Sequence, residues 1–177
     1  MIKFITNKEI YDQVILDAIP KAKDFLWIGT SDIKDMYVKR GSGMVPFLKV
    51  LSELINKGVS VRLIHAKEPG PNFRKDFDKY KNLISGLERI LCPRIHFKCV
   101  VVDGVFAYSG SANLTGAGMG AKSETRRNFE SGIITDDELF ISQIMEQFDS
   151  LWMGNYCRKC NRKEYCADYK EILLKGK

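Results

Sequence analysis

The 177-residue sequence lacks the features that would place it among membrane, secreted or repeat proteins. No apolar run approaches the roughly 18 residues that span a bilayer. The first residues contain neither the apolar stretch nor the small-residue cleavage site of a secretion signal. The chain also has no internal repeat, low-complexity segment or linker. With 45% hydrophobic residues, it is expected to form one compact cytoplasmic domain without a membrane partner.

Acidic residues are fewer than basic ones. The sequence has 22 Asp and Glu and 28 Lys and Arg, which give a formal net charge of +6. The excess is concentrated in residues 157–177, which contain seven cations and three acids. Such a basic field favours polyanionic partners, of which nucleic acid is the commonest and anionic lipid head groups are the next. An ordinary solvated surface carries similar charge, so the partner has to be inferred from particular residues.

Apolar periodicity predicts strands that alternate with amphipathic helices. Asp103-Gly104 separates two apolar runs, and this pair is typical of a two-residue β-hairpin turn. The predicted strands span residues 2–5, 25–29, 59–65, 95–102, 105–108 and 129–135, and the predicted helices span residues 7–22, 45–56, 72–85 and 136–154. This order favours a single-domain α/β sandwich in which helices flank both faces of a mixed sheet. We assign residues 1–154 to this domain and residues 155–177 to a basic, cysteine-bearing tail packed on it.

One group of residues has the chemistry of a phosphate site. His96 and Lys98 are two apart on a predicted strand, so their side chains project to the same side. An imidazole can attack phosphorus, while a lysine and an Asn amide stabilise charge on the non-bridging oxygens. Alone, His96 would more often be a structural histidine. It is accompanied by Asp103, by Gly110-Ser111-Ala112-Asn113 and by Asn128-Phe129-Glu130.

The pattern H-x-K-x4-D, followed by G-S-x-N and N-x-E, resembles the signature of the phospholipase D superfamily across residues 90–135. The resemblance implies an α/β fold of that family and a covalent phosphohistidine formed on His96. It implies that Lys98 and Asn113 bind phosphate oxygens and that Ser111 supports them. Glu130 is then expected to hydrogen-bond the imidazole and fix its tautomer. This chemistry requires no metal.

The chemistry of the resembled family uses two histidines, one that attacks and one that protonates the leaving alcohol. This chain has one copy of the motif, and its other histidine, His65, lacks a lysine at the required spacing. We expect His65 to be structural or to contact the substrate. The resemblance therefore implies a homodimer in which two copies of His96 meet across a two-fold axis. Asp103 has two interpretations, because at an Asp-Gly turn it can pin the hairpin or contribute to catalysis.

The five cysteines are an odd number in a chain without a secretion signal, which argues against a disulfide framework. Cys157-x2-Cys160-x5-Cys166 supplies three clustered thiolates. Cys92 is the better candidate for a fourth, because Cys99 lies in an apolar run. The chain lacks the two close cysteine pairs common in zinc sites, and the spacing resembles the iron–sulfur site of some DNA nucleases and base-excision glycosylases. We expect a structural [4Fe-4S] cluster, with Zn²⁺ and then free thiols as alternatives.

Together these patterns predict a phosphodiesterase, and the basic residues favour a nuclease. Arg126 and Arg127 directly precede Asn128 and are expected to contact the phosphates of a nucleic acid. One alternative is a phospholipase or phosphatidyl-transfer enzyme of the same superfamily, although such members usually carry two motifs and often membrane or secretion segments. The other alternative is a non-catalytic dimeric module that binds nucleic acid.

Overall fold

The computed structural model describes residues 1–34 and 36–169. The strands of its main sheet are β1 (Ile2–Thr6), β2 (Phe25–Thr30), β5 (Ser60–His65), β6 (Leu87–Leu91), β7 (Lys98–Val102), β8 (Phe106–Gly110) and β9 (Ser131–Thr135), and a separate hairpin contains β3 (Tyr37–Arg40) and β4 (Gly43–Pro46). The sheet order is β1-β9-β8-β7-β2-β5-β6. β2, β5 and β6 run parallel, and the other neighbours pair antiparallel. The predicted mixed sheet is confirmed.

Helices cover both faces of this sheet. The first helical segment comprises α1 (Lys8–Ile10), a π-helical stretch (Tyr11–Ala18) and a 3-10 turn (Ile19–Lys21), and the later helices are α2 (Phe47–Asn56), α3 (Pro71–Phe77), α4 (Asn82–Gly86) and α5 (Glu138–Trp152). α5 begins where the Asp137 carboxylate accepts a 2.9 Å hydrogen bond from the Phe140 N–H. In the described part of the chain, no helix combines the length and apolar character needed to cross a membrane.

Alternate residues of β7 pack on opposite faces of the sheet. Val100 lies in the larger core with the first helical segment and α2, whereas Cys99 packs with Phe148 of α5. Because side chains alternate along a strand, Cys99 lies on the face opposite to Lys98. Burial raises the pKa of the Cys99 thiol to about 12, so this cysteine stays protonated. The predicted α/β sandwich with helices on both faces is confirmed.

The segment between β5 and β7 differs from the sequence-based prediction. The prediction of a single helix over residues 72–85 is wrong, because α3 ends at Phe77. A turn separates it from α4, and in this turn the Leu83 N–H donates to the Tyr80 carbonyl at 2.9 Å. The prediction also omits β6, whose Leu-Glu-Arg-Ile-Leu sequence forms a strand because it pairs in parallel with β5. It further omits the short β3–β4 hairpin.

The strand predicted over residues 95–102 begins only at Lys98. Before it, the Cys92 N–H donates to the His65 carbonyl at 2.8 Å, and the Ile95 N–H donates to the Cys92 carbonyl at 3.0 Å. This turn is compatible with Pro93, which cannot donate to a sheet. Residues 92–97 are therefore a connection, called here the β6–β7 connection, and His96 lies just outside the sheet.

After α5, residues 155–169 form a series of turns that contact β6. The Asp168 carboxylate accepts a 2.7 Å hydrogen bond from the Leu91 N–H, and the Cys166 thiol donates to the Leu91 carbonyl at 3.5 Å. These contacts hold the described part of the predicted tail against the end of β6. Three cations of that tail, Lys170, Lys175 and Lys177, lie outside the described residues.

Candidate active site

The motif residues flank the ends of four neighbouring strands. β7 and β9 begin at one edge of the sheet, and β2 and β8 end there, because β7 is antiparallel to β2 and β8 and β8 is antiparallel to β9. Adjacent strands in a sheet are about 4.8 Å apart, so the four ends occupy a short stretch of this edge. The structure brings to it His96, Lys98, Ser111, Asn113 and Glu130.

His96 and Lys98 differ sharply in burial. His96 is exposed, whereas Lys98 is only 8% exposed. The Lys98 Nζ donates a 2.7 Å hydrogen bond to the backbone carbonyl of His96, which fixes the ammonium beside the histidine. No carboxylate in the described ranges forms an ion pair with Lys98. A buried cation without a counter-ion favours binding of an anion such as a phosphate.

Asn113 is oriented by the loop that follows β2. Its Oδ1 accepts hydrogen bonds from the Ser31 hydroxyl at 2.7 Å, the Ser31 N–H at 3.2 Å and the Asp32 N–H at 3.1 Å. Because donors surround Oδ1, the amide can present only its Nδ2 donor elsewhere, and no described residue accepts a hydrogen bond from it. This orientation suits the predicted role of Asn113 in binding a phosphate oxygen.

Glu130 bonds to its motif neighbours instead of to the imidazole. Its carboxylate accepts hydrogen bonds from the Ser111 hydroxyl and, at 3.0 Å, from the Asn128 Nδ2. The Glu130 N–H donates to the Asn7 Oδ1 at 3.0 Å, which ties the start of β9 to the end of β1. The predicted hydrogen bond from the His96 imidazole to the Glu130 carboxylate is not among the contacts of the described residues, in which the Ser111 hydroxyl and the Asn128 amide are the donors to that carboxylate.

Tyr108 lies beneath this edge and was not expected from the sequence. Its ring is fully buried, and burial raises the pKa of the phenol to about 12. A Cβ at Gly110 would lie 2.4 Å from the Tyr108 hydroxyl, and one at Gly132 would lie 2.5 Å from the ring. The two glycines therefore make room for the ring, and their pairing across β8 and β9 is the signal that could have located it.

Asp103 lies at the opposite end of β7. The strand separates it from Lys98 by five residues, or about 16 Å. Its carboxylate accepts hydrogen bonds from the backbone N–H groups of Lys23, Asp24 and Phe25 at 2.8–2.9 Å. Asp103 also has a φ of 51°, which the Asp-Gly turn requires. The structure does not bring Asp103 to the other motif residues, and of its two interpretations the geometry supports the structural one.

The loop before β9 presents basic and aromatic side chains at the candidate edge. The N–H groups of Arg126 and Arg127 donate to the Ser123 carbonyl at 2.9 and 3.0 Å, which forms a tight turn. The Arg126 side chain is exposed, and Arg127 is half-buried. Phe129 is 96% exposed, although it lies between two motif residues, Asn128 and Glu130. An exposed aromatic ring beside arginines is typical of a surface that contacts a ligand.

His65 ends β5 at the same edge of the sheet but is fully buried. Its Nδ1 lies 2.7 Å from the Lys67 carbonyl and therefore carries the proton, while its Nε2 has no partner among the described residues. Desolvation lowers the pKa of His65, so the ring is neutral at neutral pH. Of the two expected roles, the burial supports the structural one.

The four cysteines predicted to bind a metal line one cavity of about 370 Å³. Its walls come from the β6–β7 connection and from the turns after α5, and they include Arg94 and His96. Within the described ranges, no three Cys, His, Asp or Glu side chains are close enough to ligate a single ion. The cavity adjoins the candidate active site, since His96 forms part of its wall.

Comparison with known proteins decides the family. A family profile described as "Cardiolipin synthase, PLD-like domain" matches residues 15–152. The chain belongs to the phospholipase D superfamily. It is 31% identical over 104 residues to the mitochondrial cardiolipin hydrolase of Chlamydomonas reinhardtii, a match that covers 58% of this chain and 44% of that protein. The chain thus spans less than half the length of this curated relative.

Solved structures agree with this superfamily at the level of the fold. Nuc from Salmonella typhimurium, described as a phospholipase D family member, superposes with a TM-score of 0.63 at 18% identity, over 86% of this chain and 93% of Nuc. NucT from Helicobacter pylori superposes with a TM-score of 0.60 at 15% identity, over 85% of this chain and 95% of NucT. The described fold is therefore that of the superfamily.

Proposed function

We propose that the protein is a phosphodiesterase that cleaves nucleic acid through a phosphohistidine, at a site formed by two copies of the chain. The observation that carries the proposal is the exposed His96 next to the buried ammonium of Lys98, which has no carboxylate partner among residues 1–34 and 36–169. Membership of the phospholipase D superfamily and the oriented Asn113 amide support it. The steps below use only groups of this chain.

The first step is attack by a neutral His96 ring nitrogen on phosphorus, which forms a P–N bond as the P–O bond to the leaving alcohol breaks. Lys98 Nζ and Asn113 Nδ2 would bind the non-bridging oxygens, where negative charge accumulates in the transition state. The 2.7 Å hydrogen bond between Lys98 and the His96 carbonyl keeps the cation beside the attacking residue. The preorganised donors are expected to supply most of the rate enhancement.

The leaving alkoxide needs a proton, and no second exposed histidine is available in the described part of one chain. His65 is fully buried, so it cannot reach a substrate in this structure. We infer that His96 of a second copy protonates the alkoxide and later takes a proton from the water that hydrolyses the P–N bond. A two-fold axis through the exposed edge brings identical residues together without a further motif.

Nucleic acid is the substrate that the surface near this edge favours. A cavity of about 320 Å³ is lined by Lys34, Lys122, Asn113, Asn128 and Asp32, and Lys34 forms a 3.3 Å ion pair with the Asp32 carboxylate. Arg126 lies in the adjoining loop. Lys122 and Arg126 are exposed cations available to phosphates of a nucleic acid, and the exposed Phe129 ring is available for stacking on a base.

A phospholipid is the second candidate substrate. The family profile carries the description "Cardiolipin synthase", and the curated relative is named a cardiolipin hydrolase. The same two copies of His96 and Lys98 would then act on a glycerophosphodiester. Phe129 would in that case contact acyl chains instead of bases, so the two substrates predict different responses to salt and to vesicles.

The experiment is a cleavage assay in excess EDTA. Single- and double-stranded DNA and RNA, and vesicles that contain cardiolipin, are incubated with the wild type, His96→Ala and His65→Asn. His65→Asn is the matched control, because an Asn amide can still donate to the Lys67 carbonyl. We expect EDTA-resistant cleavage of nucleic acid that is lost in His96→Ala and retained in His65→Asn.

The other outcomes distinguish the alternatives. Cleavage confined to cardiolipin would replace the nucleic-acid proposal with the lipid one. Binding of nucleic acid that weakens with salt, without cleavage of any substrate, would identify a non-catalytic binding module. Equal activity of His96→Ala and the wild type would refute the phosphohistidine mechanism for every substrate.

A further inference from the structure

Four of the five cysteines line one cavity, although Cys92 and Cys157 are 65 positions apart in the sequence. Cys92 lies in the β6–β7 connection, and Cys157, Cys160 and Cys166 lie in the turns after α5, yet all four line the cavity of about 370 Å³. The fifth, Cys99, is buried on the sheet face that packs against α5 and takes no part in the cavity. The cavity therefore contains the four partly exposed cysteines and not the buried one.

The segment after α5 has little else to stabilise it. In residues 155–169 every side chain is at least partly exposed, and the only regular element is a single 3-10 turn at Lys163–Tyr165. Beyond the hydrogen bonds of Asp168 and Cys166 to Leu91, such a segment gains stability from a cross-link such as a disulfide or a metal. The described cysteines form no disulfide, so a metal is the cross-link that their four clustered thiols are suited to form.

The backbone turns direct the thiols into the cavity. The Cys157 N–H donates to the Gly154 carbonyl at 2.9 Å, and the Cys160 N–H donates to the Cys157 carbonyl at 3.1 Å. The Arg162 N–H in turn donates to the Cys160 sulfur at 3.4 Å. An N–H directed at a sulfur stabilises negative charge on it, which is what a metal-bound thiolate requires.

We propose that Cys92, Cys157, Cys160 and Cys166 ligate a [4Fe-4S] cluster that cross-links residues 155–169 to the β6–β7 connection. Thiolates around one Zn²⁺, at a Zn–S distance of about 2.3 Å, lie about 3.8 Å from one another. In the described ranges no three candidate ligands are close enough for one ion. A cubane places iron and sulfide between its thiolates, so it fits a wider ligand set and a larger cavity.

The charge around the cavity suits an anionic cluster. Four thiolates on a [4Fe-4S] core carry net negative charge. Arg94 lines the cavity, and the tail segment that contains three of the cysteines also contains four cations: Arg158, Lys159, Arg162 and Lys163. Acidic residues are fewer, and one of them, Asp168, is engaged with the Leu91 N–H.

The cluster would position the nucleophile without touching the substrate. Cys92 is four residues before His96, and both line the cavity wall formed by the β6–β7 connection. A cross-link from Cys92 to the tail restrains the backbone that delivers His96 to the edge of the sheet. The cluster is thus a positioning element, and its presence is independent of whether the substrate is nucleic acid or lipid.

The test measures metal directly on protein purified without oxygen. We expect about four iron and four acid-labile sulfide per chain and a broad absorbance near 400 nm. Cys157→Ser and Cys160→Ser are expected to lose most of both signals, whereas Cys99→Ala, the matched cysteine control, retains them. The wild-type and His96→Ala proteins should contain the same metal, which separates this result from any failure of the proposed activity.

A second readout covers variants that fold poorly. In the intact wild type, a thiol reagent should modify Cys92 and Cys157 only after the cluster is oxidised away, and proteolysis within residues 155–169 should accelerate at the same time. One zinc per chain, lost in the same variants, would overturn the cluster in favour of a zinc site. Wild-type protein without stoichiometric metal, whose four thiols react at once, would overturn the metal centre altogether.

Discussion

Replacement of Asp103 tests whether the last residue of the H-x-K-x4-D pattern acts on the reaction or on the fold. Its Oδ1 accepts from the N–H groups of Asp24 and Phe25, and its Oδ2 accepts from Lys23. Hydrogen bonds to a charged acceptor contribute roughly 1.5–3 kcal/mol each when buried. Two of these three are exposed, so we expect Asp103→Ala to lower the free energy of unfolding by about 2–4 kcal/mol.

A graded pair of variants makes the prediction sharper. Asp103→Asn keeps one acceptor oxygen and tolerates the positive φ of 51°. It should therefore lower the free energy of unfolding by only about 1 kcal/mol. In a domain of this size, Asp103→Ala should lower Tm by about 5–12 °C. The assay combines urea unfolding with cleavage measured well below Tm. The reasoning is refuted if Asp103→Ala leaves stability unchanged and lowers kcat per folded molecule a hundredfold.

Three further substitutions separate catalysis, binding and stability. Lys98→Met removes a buried cation without a counter-ion, so urea unfolding should show equal or higher stability. The rate of cleavage should decrease about 10²–10³-fold. A large loss of stability would contradict this account. Asn113→Asp keeps the acceptor that holds the loop after β2 but replaces the Nδ2 donor by a negative oxygen, so substrate binding should weaken about 10–100-fold in a titration while Tm changes little. The pKa of His65 is lowered in the folded state, so the unfolded state binds a proton more readily than the folded state does. The contribution of His65 to the free energy of unfolding should therefore be constant above about pH 6.5. Below that pH the free energy of unfolding should decrease by at most about 1.4 kcal/mol per pH unit. In His65→Asn the free energy of unfolding should decrease less steeply at acid pH. An unchanged pH dependence would show that other groups cause it.

The sequence predicts the parts of the fold that depend on local pattern. The Asp103-Gly104 turn and the strands around it follow from residue preferences within a few positions, and the structure has them in place. β6 could not be predicted in this way. Its residues favour a helix as readily as a strand, and only pairing with β5 decides between them.

The same limit applies to the candidate site. The prediction that His96 and Lys98 lie on one strand is wrong, because β7 begins at Lys98, and the two residues lie together through the bond from the Lys98 Nζ to the His96 carbonyl. The motif predicts which other residues accompany them. It does not predict that the Asn113 amide is oriented by Ser31, since that contact joins residues 82 positions apart. Nor does it predict that Glu130 bonds to Ser111 and Asn128, because side-chain partners depend on three-dimensional placement.

The central claim is that each active site contains two copies of His96, and mixed dimers test it most directly. Wild-type and His96→Ala chains with different affinity tags are co-refolded in varying ratios, and cleavage is measured against the fraction of wild-type chains. If both histidines act at one site, activity follows the square of that fraction and is about one quarter when half the chains are wild type. A linear dependence, with about one half of the activity at that point, would show that one chain suffices and would contradict the account.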